Sequence, residues 1–154
     1  MRVQLLDTPE DFSVFRTLIV EYELSLPNEL KHSDFEGELD NLELHYGPPN
    51  VALVALVDEE PAGCVALVPL DASTAIMKKL YVTPAFRNIG VARKLLATLI
   101  DAAREHRFSR IVLDTDRDRL EAAYRLYLSL GFAECEPYGE VDHASPTFME
   151  LHLA

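Results

Sequence analysis

The chain has little of what marks a secreted or metal-binding protein. Its 154 residues include only two cysteines, Cys64 and Cys135, and no tryptophan. No Cys-x-x-Cys pair or cysteine–histidine cluster is present, so we expect no metal site. Two isolated thiols are typical of a reducing compartment, and the first residues lack the apolar stretch of a secretory signal. No charge-free run approaches the roughly 20 residues of a membrane-spanning helix. We therefore expect a cytoplasmic protein without membrane association.

Glycine is also scarce, at 6 residues, and proline is ordinary, at 9, which excludes collagen-like and low-complexity chains. The hydrophobic share of 49% and the charged share of 26% are those of an ordinary globular protein. No internal repeat or linker divides the sequence. The length suits one hydrophobic core, and we expect residues 1–154 to form a single domain.

Basic residues are few: the chain has 14 lysines and arginines and 26 acidic residues, which gives a net charge of −12. Such a chain is not expected to bind nucleic acid, which requires basic surface. The acidic excess lies in residues 7–60, a segment able to attract a cationic substrate. Residues 72–100 contain no Asp or Glu but five basic residues, which indicates either an anion site or a helix with a basic outer face. The five are Lys78, Lys79, Arg87, Arg93 and Lys94.

The order of apolar patterns predicts an α/β fold. Thr8 and Pro9 predict the start of a first helix, and Pro27 its end. A second helix is predicted at 34–44, a third at about 90–106 and a fourth around 120–130, with Gly131 in the left-handed position after it. Strands are predicted near the start and at 51–57, 62–70, 74–82, 111–114 and 147–153. The helix between 74–82 and 111–114 makes a right-handed crossover, so these two strands should be parallel.

A phosphate-binding loop is indicated where the strand at 74–82 passes into the following helix. The first turn of a helix has unpaired backbone N–H groups that favour an anion. Gly90 allows close approach of the backbone, and Arg87 and Arg93 can donate charge-assisted hydrogen bonds. Neither the Walker pattern GxxxxGK[ST] nor the dinucleotide pattern GxGxxG is present.

This segment resembles the pyrophosphate loop of the GNAT acetyltransferases, [QR]-x-x-G-x-[GA]. The six residues here are Arg87-Asn88-Ile89-Gly90-Val91-Ala92, after a strand that ends Tyr81-Val82-Thr83-Pro84. The sequences MKKLYVTPAFRNIGVARKLL, VLDT and AAYRLYLSLGF are similar to the strands and helices of that family. The closing PY…FMEL is similar to an uncharacterised bacterial branch that acts on small substrates.

The resemblance implies a mixed, mostly antiparallel sheet of six to seven strands with helices on both faces. It also implies that the sheet is splayed between two central parallel strands and that acetyl-CoA enters the splay as co-substrate. The pantetheine would pair with backbone at Leu80, Tyr81 and Val82. The pyrophosphate would bind Arg87, Asn88, Ile89, Gly90, Val91, Ala92 and Arg93.

Acetyl transfer to an amine requires a group that protonates the leaving thiolate. In the family a tyrosine four residues before the Gly-Phe at the end of the last helix has this role, which points to Tyr127. On the pattern of residues alone, Tyr127 could equally be a core residue with its hydroxyl bonded to backbone. Tyr124, on the same helix, is predicted to pack.

The residue expected to act as general base is missing. Many relatives carry a Glu on the strand before the loop, where this chain has Ile76, and isoleucine cannot accept a proton. The remaining candidates are Glu21, Glu38, Asp114, Glu140 and His143. The other four histidines, which are His32, His45, His106 and His152, are predicted to lie on the surface.

The sequence therefore predicts an acyltransferase that moves an acetyl group from acetyl-CoA to a primary amine of a small molecule. Glu21 and Tyr138 are candidate substrate-binding residues, and a homodimer is allowed for. One alternative is a non-catalytic acyl-CoA-binding module, and another is an acetyltransferase of protein N-termini or lysines. A closed pocket under residues 20–45 would favour small amines, whereas a wide groove beside 74–82 would favour proteins.

Overall fold

The structure is a computed structural model that describes residues 1–141 and 145–153. These residues form five α-helices, two short 3-10 helices and seven strands. The α-helices are α1 (Pro9–Ser25), α2 (Phe35–Asp40), α3 (Leu42–Tyr46), α4 (Val91–Glu105) and α5 (Glu121–Ser129). The strands are β1 (Arg2–Leu5), β2 (Val51–Val57), β3 (Glu60–Pro69), β4 (Thr74–Val82), β5 (Arg110–Thr115), β6 (Ala133–Glu134) and β7 (Thr147–His152).

The seven strands form one mixed sheet in the order β1-β2-β3-β4-β5-β7-β6. All neighbouring strands are antiparallel except β4 and β5, which are parallel and are connected through α4. The prediction of a mostly antiparallel sheet with two central parallel strands is confirmed.

Helices cover both faces of the sheet, as predicted, and the strands β2 and β3 are buried on both. On one face α4 buries Leu95, Leu96 and Leu99 completely against these strands and β5. On the other face α1 buries Phe15 and Ile19 against the alternate residues of the same strands. Full burial of one such side chain contributes about 1.5–3 kcal/mol, so the two cores hold the helices firmly on the sheet. We call these the α4 face and the α1 face.

The start of α1 follows the predicted capping pattern. Thr8 accepts a hydrogen bond from the Asp11 backbone N–H at 3.2 Å, and the Asp11 carboxylate accepts the Thr8 N–H at 3.0 Å. Pro9 occupies the first helical turn, where its missing N–H costs nothing. This box fixes where the helix begins and hence which side chains of α1 reach the sheet.

The sheet is split between its two parallel strands. β4 and β5 pair only over residues 74–76 and 110–112. Beyond that point β4 continues to residue 82 on β3, and β5 continues to residue 115 on β7. The splay that the resemblance implied is therefore present, and it starts directly after Ile76.

Two local features differ from the expectations. The predicted helix at 34–44 is two short helices, because Asn41 leaves the helical conformation (φ −130°, ψ 35°) and its side chain donates to the Gly37 carbonyl at 2.9 Å. Asparagine competes in this way with the helical backbone. The two-residue strand β6 was not predicted, and the last strand ends at His152 rather than Leu153. Among the described residues, no helix is long and apolar enough to cross a membrane, and no cluster of three potential metal ligands occurs.

Candidate active site between strands β4 and β5

A cavity of about 240 Å³ lies where β4 and β5 separate. Consecutive residues of both strands line it: Met77 and Lys78 on β4, and Leu113 and Asp114 on β5. Since successive side chains of a strand point to opposite faces, the cavity must pass through the sheet. It therefore joins the α4 face, where the cofactor loop was predicted, to the α1 face.

The predicted pyrophosphate loop forms an open cradle on α4. The first intrahelical bond is from the Lys94 N–H to the Gly90 carbonyl at 3.1 Å, so the N–H groups of 91–93 have no helical acceptor. No side chain caps this end, and Gly90 has φ 89°. A Cβ added at Gly90 would meet no atom within 4 Å. Unpaired donors around empty space at a helix N-terminus fit a phosphate group.

The basic residues near this loop have defined partners. The Arg87 Nε donates to the Val82 carbonyl at 3.0 Å, which ties the loop to the end of β4. Arg93 donates to the Ser129 hydroxyl at 2.9 Å and so joins α4 to α5. Lys94 donates to the Met1 carbonyl at 3.2 Å. Arg93 lies in the first turn of α4, and the guanidinium of Arg87 also lies 5.9 Å from the centre of the Tyr81 ring.

Lys79 is not part of an anion site, contrary to the expectation from the acid-free segment. A bulge in β4 lies between the pairs Ala66–Lys78 and Cys64–Tyr81, and Lys79 within it has φ 62°. The bulge turns Lys79 to the α1 face, where its Nζ lies 2.8 Å from Glu38 Oε1. The side chain is only 3% exposed and lies against the ring of Phe35. A buried ion pair thus attaches α2 to β4.

Tyr127 lines the cavity from α5, and its side chain is buried. Its hydroxyl makes no hydrogen bond within the part of the chain that the structure describes. Burial, with smaller effects of Tyr22 and Asp114, raises the Tyr127 pKa, so the phenol keeps its proton at neutral pH. By contrast, the Tyr124 hydroxyl turns outward and donates to Glu134 at 2.7 Å.

The turn after α5 fixes the position of Tyr127. Gly131 has φ 98°, and the Phe132 N–H donates back to the Tyr127 carbonyl at 3.0 Å. The ring of Phe132 then packs against that of Tyr127, with centroids 5.8 Å apart. The predicted left-handed position of Gly131 is confirmed.

Asp114 is the carboxylate at the split itself. Ile76 pairs with Val112, and Asp114 is two residues farther along β5, so it lies on the same α1 face as Ile76. Its Oδ1 accepts a hydrogen bond from the Tyr138 hydroxyl at 3.1 Å. Burial first, and then Asp114, raise the pKa values of Tyr138 and of Tyr22. A carboxylate among tyrosines therefore lies beside the position where relatives carry a base.

The other base candidates divide into two groups. Glu38 and Glu140 line the cavity, although Glu38 is engaged by Lys79. Glu21 lies outside the lining and accepts the Tyr81 hydroxyl at 2.8 Å. Burial, followed by this bond, raises the Tyr81 pKa to about 12. His143 lies outside the described residues.

The two candidate substrate-binding residues are both displaced from the cavity wall. Glu21 holds α1 to the end of β4 through Tyr81. Tyr138 packs edge-on against Phe148 and reaches the cavity only through its bond to Asp114. Tyr81 itself points to the α1 face, into the core of α1.

His32 is a cavity residue that sequence reasoning missed. It was expected on the surface, but it is half-buried in the cavity wall, and its Nδ1 lies 2.6 Å from Glu23 Oε1. One sequence signal was available. Glu23 continues the apolar stripe of Phe15 and Ile19 on α1, and a carboxylate in such a position needs a polar partner.

Comparison with known proteins agrees with this geometry. Residues 15–132 match the acetyltransferase (GNAT) family. An uncharacterized N-acetyltransferase of Schizosaccharomyces pombe is 33% identical over 149 residues, which are 95% of this chain and 91% of the relative.

Solved structures show the same fold. A GNAT-family acetyltransferase from Staphylococcus aureus has a TM-score of 0.79 at 23% identity and covers 99% of this chain and 100% of its own. YncA from Salmonella typhimurium, solved with its cofactor acetyl-CoA, has a TM-score of 0.78 at 23% identity, with 99% and 94% covered. The chain therefore belongs to the GNAT family of acetyltransferases, enzymes whose acetyl donor is acetyl-CoA.

Proposed function

We propose that this acetyltransferase acts on a primary amine of a small molecule, which binds in the α1-face end of the cavity. The residues that form the wall at that end support the proposal. The residues that cover it are Tyr22 of α1, Leu26, Leu30 and His32 of the segment after α1, and Glu38 of α2. These residues belong to the segment 20–45, and a volume of about 240 Å³ suits a small acceptor better than a folded polypeptide.

The wall is attached to the sheet by buried polar contacts. Glu38 binds Lys79 of β4, and Tyr46 of α3 also interacts with Glu38, which together with burial raises the Tyr46 pKa. These contacts hold α2 and α3 on the sheet over the α1-face end of the cavity.

The charges around the cavity favour a cationic acceptor. Four carboxylates line it, those of Glu38, Asp114, Asp116 and Glu140, against two ammonium groups, those of Lys78 and Lys79. The acidic segment 7–60 supplies α1 and α2, which form the wall. A protonated amine is attracted by this arrangement, and an anionic acceptor is repelled.

The α4-face end fits the donor. Acetyl-CoA supplies the activated acetyl group when it is bound. The N–H groups of 91–93 and the open space at Gly90 suit its pyrophosphate, with Arg87, Asn88, Ile89 and Arg93 around them. Beyond Ile76, no strand among the described residues pairs with β4 on its β5 side, which leaves that side of the backbone at 80–82 for the pantetheine amides, apart from the Val82 carbonyl that accepts Arg87.

Tyr127 donates the proton that the leaving sulfur requires. Tyr127 lines the cavity, and its raised pKa keeps the phenol protonated at neutral pH, so that a proton is present for the sulfur as it leaves. No side chain of β4 serves as base, because Ile76 occupies that place.

An acceptor panel tests the proposal. Small primary amines, amino acids and short peptides with free N-termini or lysines are each incubated with acetyl-CoA, and the release of free CoA thiol is measured. We expect turnover with one class of small cationic amine and none with peptides. Turnover with peptides alone would contradict the small-molecule assignment, and CoA binding without any turnover would favour a non-catalytic module. A single domain over 1–154, a cytoplasmic location and a homodimer stay predictions.

A further inference from the structure

Glu23 and His32 form a polar unit in the wall of the cavity. The Glu23 side chain, on α1, is only 9% exposed. Both of its oxygens engage His32: Oε1 lies 2.6 Å from Nδ1, and Oε2 accepts the backbone N–H at 2.8 Å. Lys31 donates to the Glu23 carbonyl at 3.0 Å and fixes the same segment to the end of α1. Because both oxygens of this buried carboxylate bind His32, Glu23 fixes the orientation of the imidazole.

This orientation leaves one ring nitrogen for a bound molecule. Nδ1 is engaged by Glu23, so Nε2 is the nitrogen that remains, and it makes no hydrogen bond to any residue in the described ranges. The imidazole lines the same cavity as Asp114 and Tyr127. A carboxylate that holds the Nδ1–H of a histidine is the usual means of making Nε2 a proton acceptor.

The geometry points to His32 as the general base that accepts the proton of the acceptor amine, with Glu23 as its positioning residue. This inference rests on the proposed function and assigns the base that Ile76 leaves missing. Nε2 takes one proton from the ammonium group, directly or through one water, and passes it to solvent, because the side chain is 36% exposed.

Tyr127 takes part in the two remaining proton transfers. The amine nitrogen forms a bond to the acetyl carbon as the carbon–sulfur bond breaks, and Tyr127 gives its proton to the sulfur. The second proton of the nitrogen returns to the Tyr127 oxygen. The products are the acetamide, CoA thiol and one proton in solvent.

Two of the carboxylates that line the cavity are already engaged by other groups. Glu38 is paired with Lys79, and Asp116 accepts the backbone N–H groups of 118 and 119. Histidine is also the side chain that enzymes use most often as a general base. Titratable groups near His32 are Glu23 and Lys31 beside it and, along the cavity, Tyr22, Glu38, Lys78, Lys79, Asp114, Asp116, Tyr127 and Glu140.

The pH dependence of kcat/KM tests the inference, measured with the best amine of the panel. We expect the wild-type rate to reach a plateau near neutral pH. In His32→Gln the rate at neutral pH should fall by about 10²-fold or more. Its profile should climb about tenfold per unit of pH with no plateau, because only the neutral fraction of the amine then reacts. Glu23→Gln should give a smaller loss and a displaced profile with little change in KM.

The controls separate this base from the alternatives. His106→Gln changes an exposed histidine far from the cavity and should keep the wild-type profile. A wild-type profile in folded His32→Gln, or loss of the plateau in Asp114→Asn instead, would overturn the inference while acetyl transfer stands. Absence of turnover with every amine would overturn the proposed function and this inference together.

Discussion

Replacement of Gly90 tests the cofactor loop at the residue where it enters α4. Gly90 has φ 89° and ψ 12°, and an added Cβ would meet no atom within 4 Å. The left-handed conformation costs an L residue roughly 1–2 kcal/mol, and no steric clash adds to it. Gly90→Ala should therefore lower the free energy of unfolding by about that amount and leave the protein folded.

Gly90→Glu adds a negative charge in the space that suits the pyrophosphate. Two unit charges 4 Å apart repel by about 1 kcal/mol in bulk water and about 4 kcal/mol at an effective dielectric constant of 20. Since about 1.4 kcal/mol is a factor of ten, the dissociation constant for CoA should rise roughly 5- to 10³-fold. The new carboxylate can also bind the N–H groups of 91–93 itself and compete with the phosphate.

Calorimetric titration with CoA measures this loss, with two matched controls. Gly131→Ala carries a similar backbone strain at φ 98° but should bind CoA normally. Ala97→Glu places the same charge on an exposed position of α4 about 10 Å farther along the helix, and should change affinity little. Wild-type affinity in a folded Gly90→Glu protein would refute the loop assignment.

Three further predictions concern stability and reactivity. Lys79→Met should lower the free energy of unfolding, measured with urea, by roughly 3 kcal/mol because it leaves Glu38 unpaired. Adding Glu38→Gln should recover most of that loss. Backbone N–H groups of Thr8 and Asp7 lower the pKa of Asp11. Asp11 therefore stabilises the fold above its ordinary pKa near 3.9, and this stabilisation is lost as the pH falls below that value. Asp11→Asn should make the free energy of unfolding less dependent on pH in this acidic range. Cys64 is fully buried, which raises its pKa, so a thiol reagent should label it only after unfolding.

Much of the fold could be predicted because it depends on local signals. The apolar spacing of α1 and α4, the cap at Thr8 and the left-handed Gly131 each act within one or two turns of chain. The parallel pair β4–β5 followed from the handedness of a helical crossover, which few folds violate. The cofactor loop could be proposed for the same reason, since its donors are consecutive residues of one turn.

The acceptor end of the cavity was harder to predict because its residues meet only in the folded chain. Lys79 and Glu38 are 41 residues apart and meet through a bulge that turns a strand residue to the other face. A basic residue in an acid-free segment therefore did not contribute to the anion site. Asn41 ended a helix through its own side chain, which apolar spacing does not reveal.

Glu23 and His32 illustrate the same limit. The sequence shows a carboxylate on the buried side of α1 and an isolated histidine nine positions later, with no metal-ligand spacing. Their contact depends on the turn that the chain makes after Pro27. The two predicted substrate-binding residues lie outside the cavity lining, because Glu21 binds Tyr81 and Tyr138 binds Asp114.

The most direct test of acetyl transfer in this cavity is the turnover of Tyr127→Phe at saturating acetyl-CoA. The change removes one hydroxyl and keeps the ring that packs on Phe132. We predict a fall in kcat of about 10²–10⁴-fold with CoA affinity unchanged, because the lost interaction belongs to the transition state. Tyr124→Phe, which removes an exposed hydroxyl from the same helix, should keep the wild-type rate. A wild-type kcat in Tyr127→Phe would contradict the account and make Tyr127 a packing residue.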